Sequence, residues 1–475
     1  MGHTCEEAAP RALPTRGLDV VDGCIVVLVV LCFLLQSCMP FAPKRFGDME
    51  YHPPAKALAA AIRGAGSWQG VHVSEFPFPV LYYAIPYLAV PPGSPDRTYW
   101  AAALIWMAAW VSACVLLLRR TAEHIGGPLA GKLAAALTLA PPFVVYYSFG
   151  VAAEVPAWVG ATLLAYGWVR CAVDGQGDGL TRGGLVAGLA GSTILILSRP
   201  NVVLIVALAA GAAIVLRTRP DVQSRRQMRF AAACATAMAA VVLGGFALTR
   251  HPGRSPSATP QGSELAHVVF HGRFQYRWEP WDWRFWGRET RHGSKDYAAW
   301  SRQLAYLERV SAQRGVDLGQ LEWQWALNDV RHHPALALRS GLVRLLALQV
   351  ALVNSRPPDA FHVGPVGGRV IYIAFHVFLN ALSLLALSLA IWAVVSKPLR
   401  LAQWWPLWAP WAALTLFHAL IYAEPRYLLP GRPGITVLAG VALAPVLRRA
   451  WARPPAPTSN RGGVPEGGQR QVDAA

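Results

Sequence analysis

Residues 20–38 read VVDGCIVVLVVLCFLLQSC, and this apolar run decides the fold class of the chain. An α-helix rises about 1.5 Å per residue, so a run of this length approaches the roughly 30 Å hydrocarbon core of a bilayer. The run is long for the apolar region of a secretory signal peptide, and no small-residue cleavage site follows it. We therefore expect residues 20–38 to form a retained transmembrane helix.

Apolar blocks of similar length recur along the rest of the chain. Of its 475 residues, 54% are hydrophobic and 15% are charged, whereas soluble domains usually carry about a quarter charged residues. Lipid offers the backbone no hydrogen-bond partner, so blocks that cross it must be helical. The sequence predicts an all-α membrane protein: a polytopic helical bundle of about ten transmembrane helices with interfacial helices and a helical outer-loop domain. The predicted spans are residues 20–38, 98–118, 128–147, 152–170, 183–198, 201–217, 229–248, 370–395, 402–421 and 428–447.

The positive charge of the chain agrees with this topology. Lys and Arg number 43 against 26 Asp and Glu, a formal net charge of +17. Much of the excess lies in short connections between apolar blocks, where positive charge marks the cytoplasmic side, so we expect no nucleic-acid partner. Every second connection is basic, which places both termini in the cytoplasm. The basic connections contain Arg119–Arg120, Arg170 with Arg182, Arg217–Arg229, Lys397 with Arg400, and Arg448–Arg453.

Two long segments fall on the opposite, outer side of the membrane. The first spans residues 39–97, in which Pro53–Gly64 and Val80–Val90 are predicted to be interfacial helices. The second spans residues 249–369 and contains a soluble helical stretch near Tyr297–Asn328.

The apolar stretch Pro334–Val353 closes the second outer segment. If it crossed the membrane, Arg426 would lie inside and Lys397 with Arg400 outside, against the distribution of charge. We therefore interpret it as an interfacial helix. The predicted parts of the chain are an N-terminal transmembrane module with a catalytic first outer loop (1–248), an extracytoplasmic helical segment (249–369), C-terminal transmembrane helices (370–450), and a disordered cytoplasmic tail rich in Pro, Gly and Gln (451–475).

An acidic pair follows the first helix, in the sequence FGDMEY at residues 46–51. Charged groups next to a membrane helix are costly when they are buried, so they mark candidate functional sites. Asp48 and Glu50 are candidates for a general base, a metal ligand or both. The competing interpretation is a hydrated loop with ordinary surface charges.

Further polar motifs fall on the same outer face. Glu75 opens the proline-aromatic run EFPFPVLYY, which contains Tyr82, and Glu154 lies at the outer end of the fourth span. Ser198-Arg199-Pro200 occupies the next outer turn, and EPRYLLP at residues 424–430 opens the last span. Isolated arginines at such places often only extend to the lipid headgroups.

In order and sidedness these motifs resemble the GT-C superfamily of membrane glycosyltransferases, and most closely its branch of protein O-mannosyltransferases and the lipid A aminoarabinose transferase. In that branch an Asp follows the first helix with a Tyr three positions later, which match Asp48 and Tyr51. The matches to its later motifs are Glu75–Tyr83, Glu154, Arg199 with Pro200, and Glu424–Pro430. The similarity covers residues 20–250 well and 370–447 more loosely, and 250–369 has no match. The family often has two adjacent acids in the first loop, whereas Met49 separates Asp48 from Glu50 here.

The resemblance implies transfer of a sugar from a polyprenyl-phosphate donor to an acceptor hydroxyl with inversion at the anomeric carbon. Asp48 is the expected general base, with Glu50 and Glu154 as further catalytic candidates. Arginine suits a phosphate oxygen pair, so Arg199 and Arg426 are expected to bind the donor phosphate with Tyr427. Tyr51, Glu75 and Tyr82 are other substrate-site candidates. Dependence on a divalent metal ion stays open, with Asp48 and Glu50 as its candidate ligands.

Two other classes of membrane protein remain as alternatives. A transporter or flippase for a lipid or polar solute usually has paired repeats and broken helices near the midplane, and neither is evident. A polymerase or ligase of the O-antigen type often concentrates its essential residues in a large late loop, whereas the best motifs here lie in the first outer loop.

The acceptor class, whether glycan, lipid or protein, is left open. Arginine outnumbers lysine and alanine is abundant, which is typical of a GC-rich bacterial genome, so we expect the plasma (inner) membrane of a bacterium.

Overall fold

The computed structural model is helical throughout the residues it describes, which are 19–38, 51–68, 71, 77–139, 153–173, 179–199, 203–219, 221–249, 261–279, 294–349, 364–396, 404–423 and 425–451. These residues form sixteen α-helices and one 3-10 helix, and no β-strand lies among them. The α-helices are α1 Val20–Cys38, α2 His52–Ile62, α3 Pro77–Tyr87, α4 Asp96–Gly126, α5 Pro128–Leu139, α6 Glu154–Val173, α7 Arg182–Ser198, α8 Val203–Arg217, α9 Val222–Thr249, α10 Gln261–Phe274, α11 Lys295–Arg314, α12 Leu318–His332, α13 Pro334–Ala347, α14 Gly364–Val395, α15 Trp405–Leu420 and α16 Arg432–Trp451. The 3-10 helix, η1, is Pro425–Gly431 and runs directly into α16.

A helix occupies each of the ten predicted spans, and these helices are α1, α4 to α9, and α14 to α16. Within the described residues, three stretches are long and apolar enough to cross a membrane: Asp96–Gly126, Val222–Gly244 and Leu428–Trp451. Several other apolar helices are shorter, α5 and α7 among them. The chain is therefore a multi-pass membrane protein, while the number of ten crossings stays a prediction.

The outer helices also occur in the segments where the sequence predicts them. Helices α2 and α3 occupy the first outer segment, and α10 to α13 the second. The single stretch expected near Tyr297–Asn328 is two helices, because Gly315 ends α11 with a left-handed φ of 63°. The Asp317 carboxylate then caps α12 by accepting a hydrogen bond from the Gln320 N–H at 2.9 Å.

Helices α6 and α7 pack so closely that their backbones touch. A methyl group at Gly160 would lie 2.7 Å from the backbone nitrogen of Leu195, and one at Gly167 would lie 2.5 Å from the carbonyl oxygen of Gly184. Small residues allow this approach, as in other membrane helix pairs. Gly160 lies against Leu195 and Gly167 lies against Gly184, so later residues of α6 contact earlier residues of α7. The two helices are therefore antiparallel. The first residue of α6 therefore lies beside the last turn of α7.

A charge network joins the start of α1 to the predicted cytoplasmic end of α4. Arg119, with 3% of its side chain exposed, donates to Asp19 at 2.6 Å and to Glu123 at 3.0 Å, and also contacts Asp22. Arg120 donates to Asp22 at 2.7 Å and to Glu123 at 3.1 Å. The basic pair that indicated sidedness in the sequence is thus held by three carboxylates and fixes α1 against α4.

Candidate functional site

Glu154 and Arg199 meet at the predicted outer end of the antiparallel α6–α7 pair. Glu154 is the first residue of α6 and is 2% exposed, and Arg199 caps the C-terminus of α7 through its backbone N–H bond to Leu195 at 3.0 Å. The Arg199 guanidinium donates a hydrogen bond to the Glu154 carboxylate. A carboxylate in the first turn of a helix also interacts favourably with the helix dipole. Two residues predicted separately from the sequence therefore form one ion pair.

The 3-10 helix η1 brings the predicted C-terminal motif against α6, the helix that begins with Glu154. It contacts both α6 and α15, and Leu428 and Leu429 are fully buried in it. Its last residue, Gly431, lies so close to α15 that a methyl group there would be 2.5 Å from the Trp411 Cα. The backbone of residues 425–431 thus adjoins the helix that begins with Glu154. The side chains of Arg426 and Tyr427 lie outside the described residues.

His418 is a further polar residue at this end of the bundle, and the sequence analysis missed it. It is 4% exposed on α15, its Nδ1 lies 3.0 Å from the carbonyl oxygen of Tyr422, and it is within electrostatic range of Arg199. An ionisable residue inside an apolar span is a signal of function, and His418 falls inside the predicted span 402–421. That signal was available in the sequence.

Tyr82 lies on α3, which contacts α4, α6 and α7. Its ring is 3% exposed and packs edge-on against Tyr83 at 4.9 Å between centroids, with Trp106 at 5.9 Å and Trp110 at 6.4 Å. Among the described residues the Tyr82 hydroxyl has no hydrogen-bond partner, and burial raises the pKa of this hydroxyl well above its ordinary value. Tyr82 is therefore a buried polar group in an aromatic cluster.

The start of α2 is fixed by a polar cluster in the predicted first outer segment. His52 is buried, with Nδ1 2.8 Å from the Tyr87 hydroxyl and Nε2 3.4 Å from the Asp96 carboxylate. Lys56 donates to Asp96 at 2.7 Å. Tyr51, 2% exposed, immediately precedes α2. The cluster anchors the chain directly after the predicted acidic pair.

Three predicted site residues are not placed by the structure. Asp48, Glu50 and Glu75 lie outside the described residues, so their roles rest on the sequence. Of the predicted tail, residues 451–475, Trp451 is the last residue of α16 and the rest lies outside the described residues. Within the described part of the chain, no group of three His, Cys, Asp or Glu side chains is arranged to hold a metal ion.

Of the comparisons with known proteins, the one with solved structures found similar chains. No family model and no curated protein matches the chain. Among solved structures, the chain is similar to ArnT from Cupriavidus metallidurans bound to undecaprenyl phosphate, with 15% identity, a TM-score of 0.35, and 90% of this chain and 78% of that chain covered. It is also similar to the same protein in the apo state, with 16% identity, a TM-score of 0.33, and coverage of 91% and 79%. Both belong to the transferase branch that the sequence motifs resemble.

Proposed function

We propose that the chain is a glycosyltransferase that moves a sugar from a polyprenyl-phosphate donor to an acceptor hydroxyl at the outer face of the membrane. The observation that carries this proposal is the Arg199–Glu154 ion pair at the start of α6, a helix that also contacts η1, in which Arg426 lies. A guanidinium held by a buried carboxylate is preorganised, and it can donate hydrogen bonds to phosphate oxygens without first ordering its side chain. The motif order of the sequence supports the same assignment.

The reaction needs few protein groups. The acceptor oxygen attacks the anomeric carbon, the bond from that carbon to the phosphate oxygen breaks, and the polyprenyl phosphate leaves with the bonding electrons. Asp48 takes the hydroxyl proton as general base. Arg199 and Arg426 stabilise the charge on the departing phosphate, with Tyr427 as a further donor, and Glu154 holds Arg199 in place. One displacement inverts the anomeric centre.

The remaining candidates are assigned by their position in the chain. Glu50 accompanies Asp48 as a second acid, and the two would be the ligands of a divalent metal ion if the enzyme used one. Tyr51 directly precedes α2, Glu75 lies between α2 and α3 in the chain, and Tyr82 lies on α3. We place these three residues at the acceptor side of the first outer loop.

We place this site on the extracytoplasmic face of a bacterial inner membrane with both termini in the cytoplasm. The N-terminal module, residues 1–248, would supply the base, and residues 370–450 would supply Arg426 and Tyr427. The acceptor would be a glycan, a lipid or a protein that enters from the outer aqueous side.

A transfer assay with purified protein tests the proposal. Radiolabelled polyprenyl-phosphate sugars of several kinds are incubated with the wild type and with Asp48→Asn in membrane vesicles that contain endogenous acceptors. We expect label to move from one donor with the wild type and not with the variant, while both have the same melting temperature. Transfer by Asp48→Asn at the wild-type rate would contradict Asp48 as the base. Vectorial movement of an intact donor without transfer would favour a flippase instead.

A further inference from the structure

The short connection between α15 and η1 is held by a side chain from the outer helical segment, residues 261–349. The Ala423 N–H donates to the Gln275 Oε1 at 2.9 Å, and the Gln275 Nε2 donates to the Ala423 carbonyl oxygen at 3.2 Å. Gln275 and Ala423 are both fully buried. One side chain thus satisfies both backbone groups of Ala423, which lies two residues before η1 begins at Pro425.

Arg344 makes a second link between the outer segment and the end of α15. It is 1% exposed, and its guanidinium donates to the carbonyl oxygens of Ala419 at 2.7 Å and Gly272 at 2.6 Å. Carbonyl groups in the last turn of a helix have no partner within that helix. Arg344, on α13, therefore caps α15 and joins it to α10 at the same time.

The contact between α10 and the connection is also close at the backbone. A methyl group at Gly272 would lie only 1.5 Å from the carbonyl oxygen of Ile421, so only glycine fits there. Next to this contact, the ring of His271 stacks on the ring of Tyr422 with 4.9 Å between centroids. Residues 421–423 are thus fixed by backbone contact, ring stacking and hydrogen bonds.

The outer segment is itself cross-linked, so it can act as a fixed support. Asp329 on α12 accepts hydrogen bonds from Arg273 at 3.0 Å and from Arg277 at 2.7 Å. Arg339 on α13 donates to the Arg277 carbonyl oxygen at 2.5 Å. Charged groups that are buried and paired in this way hold a specific geometry, because separating one partner leaves an unpaired charge in the interior.

We propose that Gln275 and Arg344 are positioning residues of the donor site, an inference that rests on the proposed function. They hold residues 419–423 so that η1, with Arg426 and Tyr427, lies against α6, the helix whose first residue, Glu154, pairs with Arg199. The outer segment then supports the binding site for polyprenyl phosphate, although the family resemblance covers no part of residues 250–369.

The affinity of the purified protein for undecaprenyl phosphate tests this role. Gln275→Leu keeps the approximate size of the side chain but removes both hydrogen bonds to Ala423. Gln275→Glu keeps the acceptor for the Ala423 N–H and loses the donor to the Ala423 carbonyl. Gln320→Leu is the matched control, because Gln320 lies exposed on α12 of the same outer segment.

We expect Gln275→Leu to bind undecaprenyl phosphate about tenfold more weakly, which corresponds to about 1.4 kcal/mol, with Gln275→Glu in between and Gln320→Leu unchanged. With a transferred donor, the Michaelis constant should rise more than the turnover number falls. A purely structural role would lower the melting temperature and leave the affinity of the folded protein unchanged, and that result would overturn the inference.

Two further outcomes are informative. If Gln275→Leu does not fold, Gln275→Glu and Arg344→Lys decide the question, since a single ammonium cannot reach the carbonyl groups of α10 and α15 with the geometry of a guanidinium. Wild-type affinity in both would overturn the inference. Absence of undecaprenyl phosphate binding by the folded wild type would instead contradict the proposed function.

Discussion

The Arg199 guanidinium and the Glu154 carboxylate form a hydrogen-bonded ion pair that joins the C-terminal cap of α7 to the first residue of α6. Glycine contacts along the two helices set their antiparallel register and bring the pair together. Glu154 is 2% exposed, so the pair lies in an interior where an unpaired charge is costly.

Removing either partner of this pair should therefore destabilise the protein. We expect Glu154→Leu and Arg199→Met to lower the free energy of unfolding by about 3–5 kcal/mol each. The double variant should recover much of that loss, because it leaves neither charge unpaired, and it should still be inactive in transfer. Denaturation in detergent checks the stabilities. If the double variant lost as much free energy of unfolding as the two single variants together, the two side chains would not be coupled.

The close packing of α6 on α7 leads to a second prediction, on the stability of glycine-to-alanine variants. A methyl group at Gly191 would lie 2.5 Å from the backbone nitrogen of Leu164, so Gly191→Ala must separate the helices and should cost about 1–3 kcal/mol. Gly211→Ala on α8 is the control, since nothing lies within 4 Å of its added methyl group. Alanine favours a helix over glycine by about 1 kcal/mol. The melting temperature should fall for Gly191→Ala and stay level or rise for Gly211→Ala. The same change in melting temperature for both variants would contradict the close packing of α6 on α7.

The pairing of Asp19 with Arg119 predicts a dependence of stability on pH. The hydrogen bond from Arg119 lowers the pKa of the Asp19 carboxyl. The folded state therefore gains stability above the ordinary Asp pKa of about 3.9 and loses it progressively as the pH falls below that value. We expect Asp19→Asn to lower the melting temperature at pH 7, by a difference that shrinks below about pH 4.

The control for this titration is Asp317→Asn, at the N-cap of α12, because asparagine caps helices about as well as aspartate. This variant should melt like the wild type at both pH values. A difference between Asp19→Asn and the wild type that did not change with pH would exclude a contribution from the Asp19 charge.

Topology can be tested independently of activity. Reporter fusions after residues 125, 225 and 398 should all report the cytoplasm, because each lies in a basic connection. Surface accessibility of the reporters in intact cells provides the measurement. An outer-side signal at 398 combined with cytoplasmic signals at 125 and 225 would mean that Pro334–Val353 crosses the membrane.

The sequence predicts best where the determinants are local. Helix α7 runs over 182–198 against a predicted 183–198, because a basic residue and the Arg-Pro turn bracket one continuous apolar run. Helix α4 runs over 96–126 against a predicted 98–118, because the charged residues after the apolar block continue the same helix. Apolar length and flanking charge therefore locate helices more reliably than their ends.

The sequence does not predict the tertiary partners of polar residues. Arg344 lies in the stretch Pro334–Val353, which the sequence predicts to be an interfacial helix, and it is buried and donates to carbonyl groups about 70 residues away in the chain. The partnership of Gln275 with Ala423 spans 148 residues. Periodicity and composition carry no information on which distant backbone group a buried side chain will meet.

The most direct test of the account is the position of the donor phosphate in a cryo-EM structure of the protein with undecaprenyl phosphate. We predict that the phosphate oxygens lie within hydrogen-bond distance of the Arg199 guanidinium, between Glu154 on α6 and residues 425–431. A lipid phosphate bound away from Arg199 and η1 would contradict the proposed donor site.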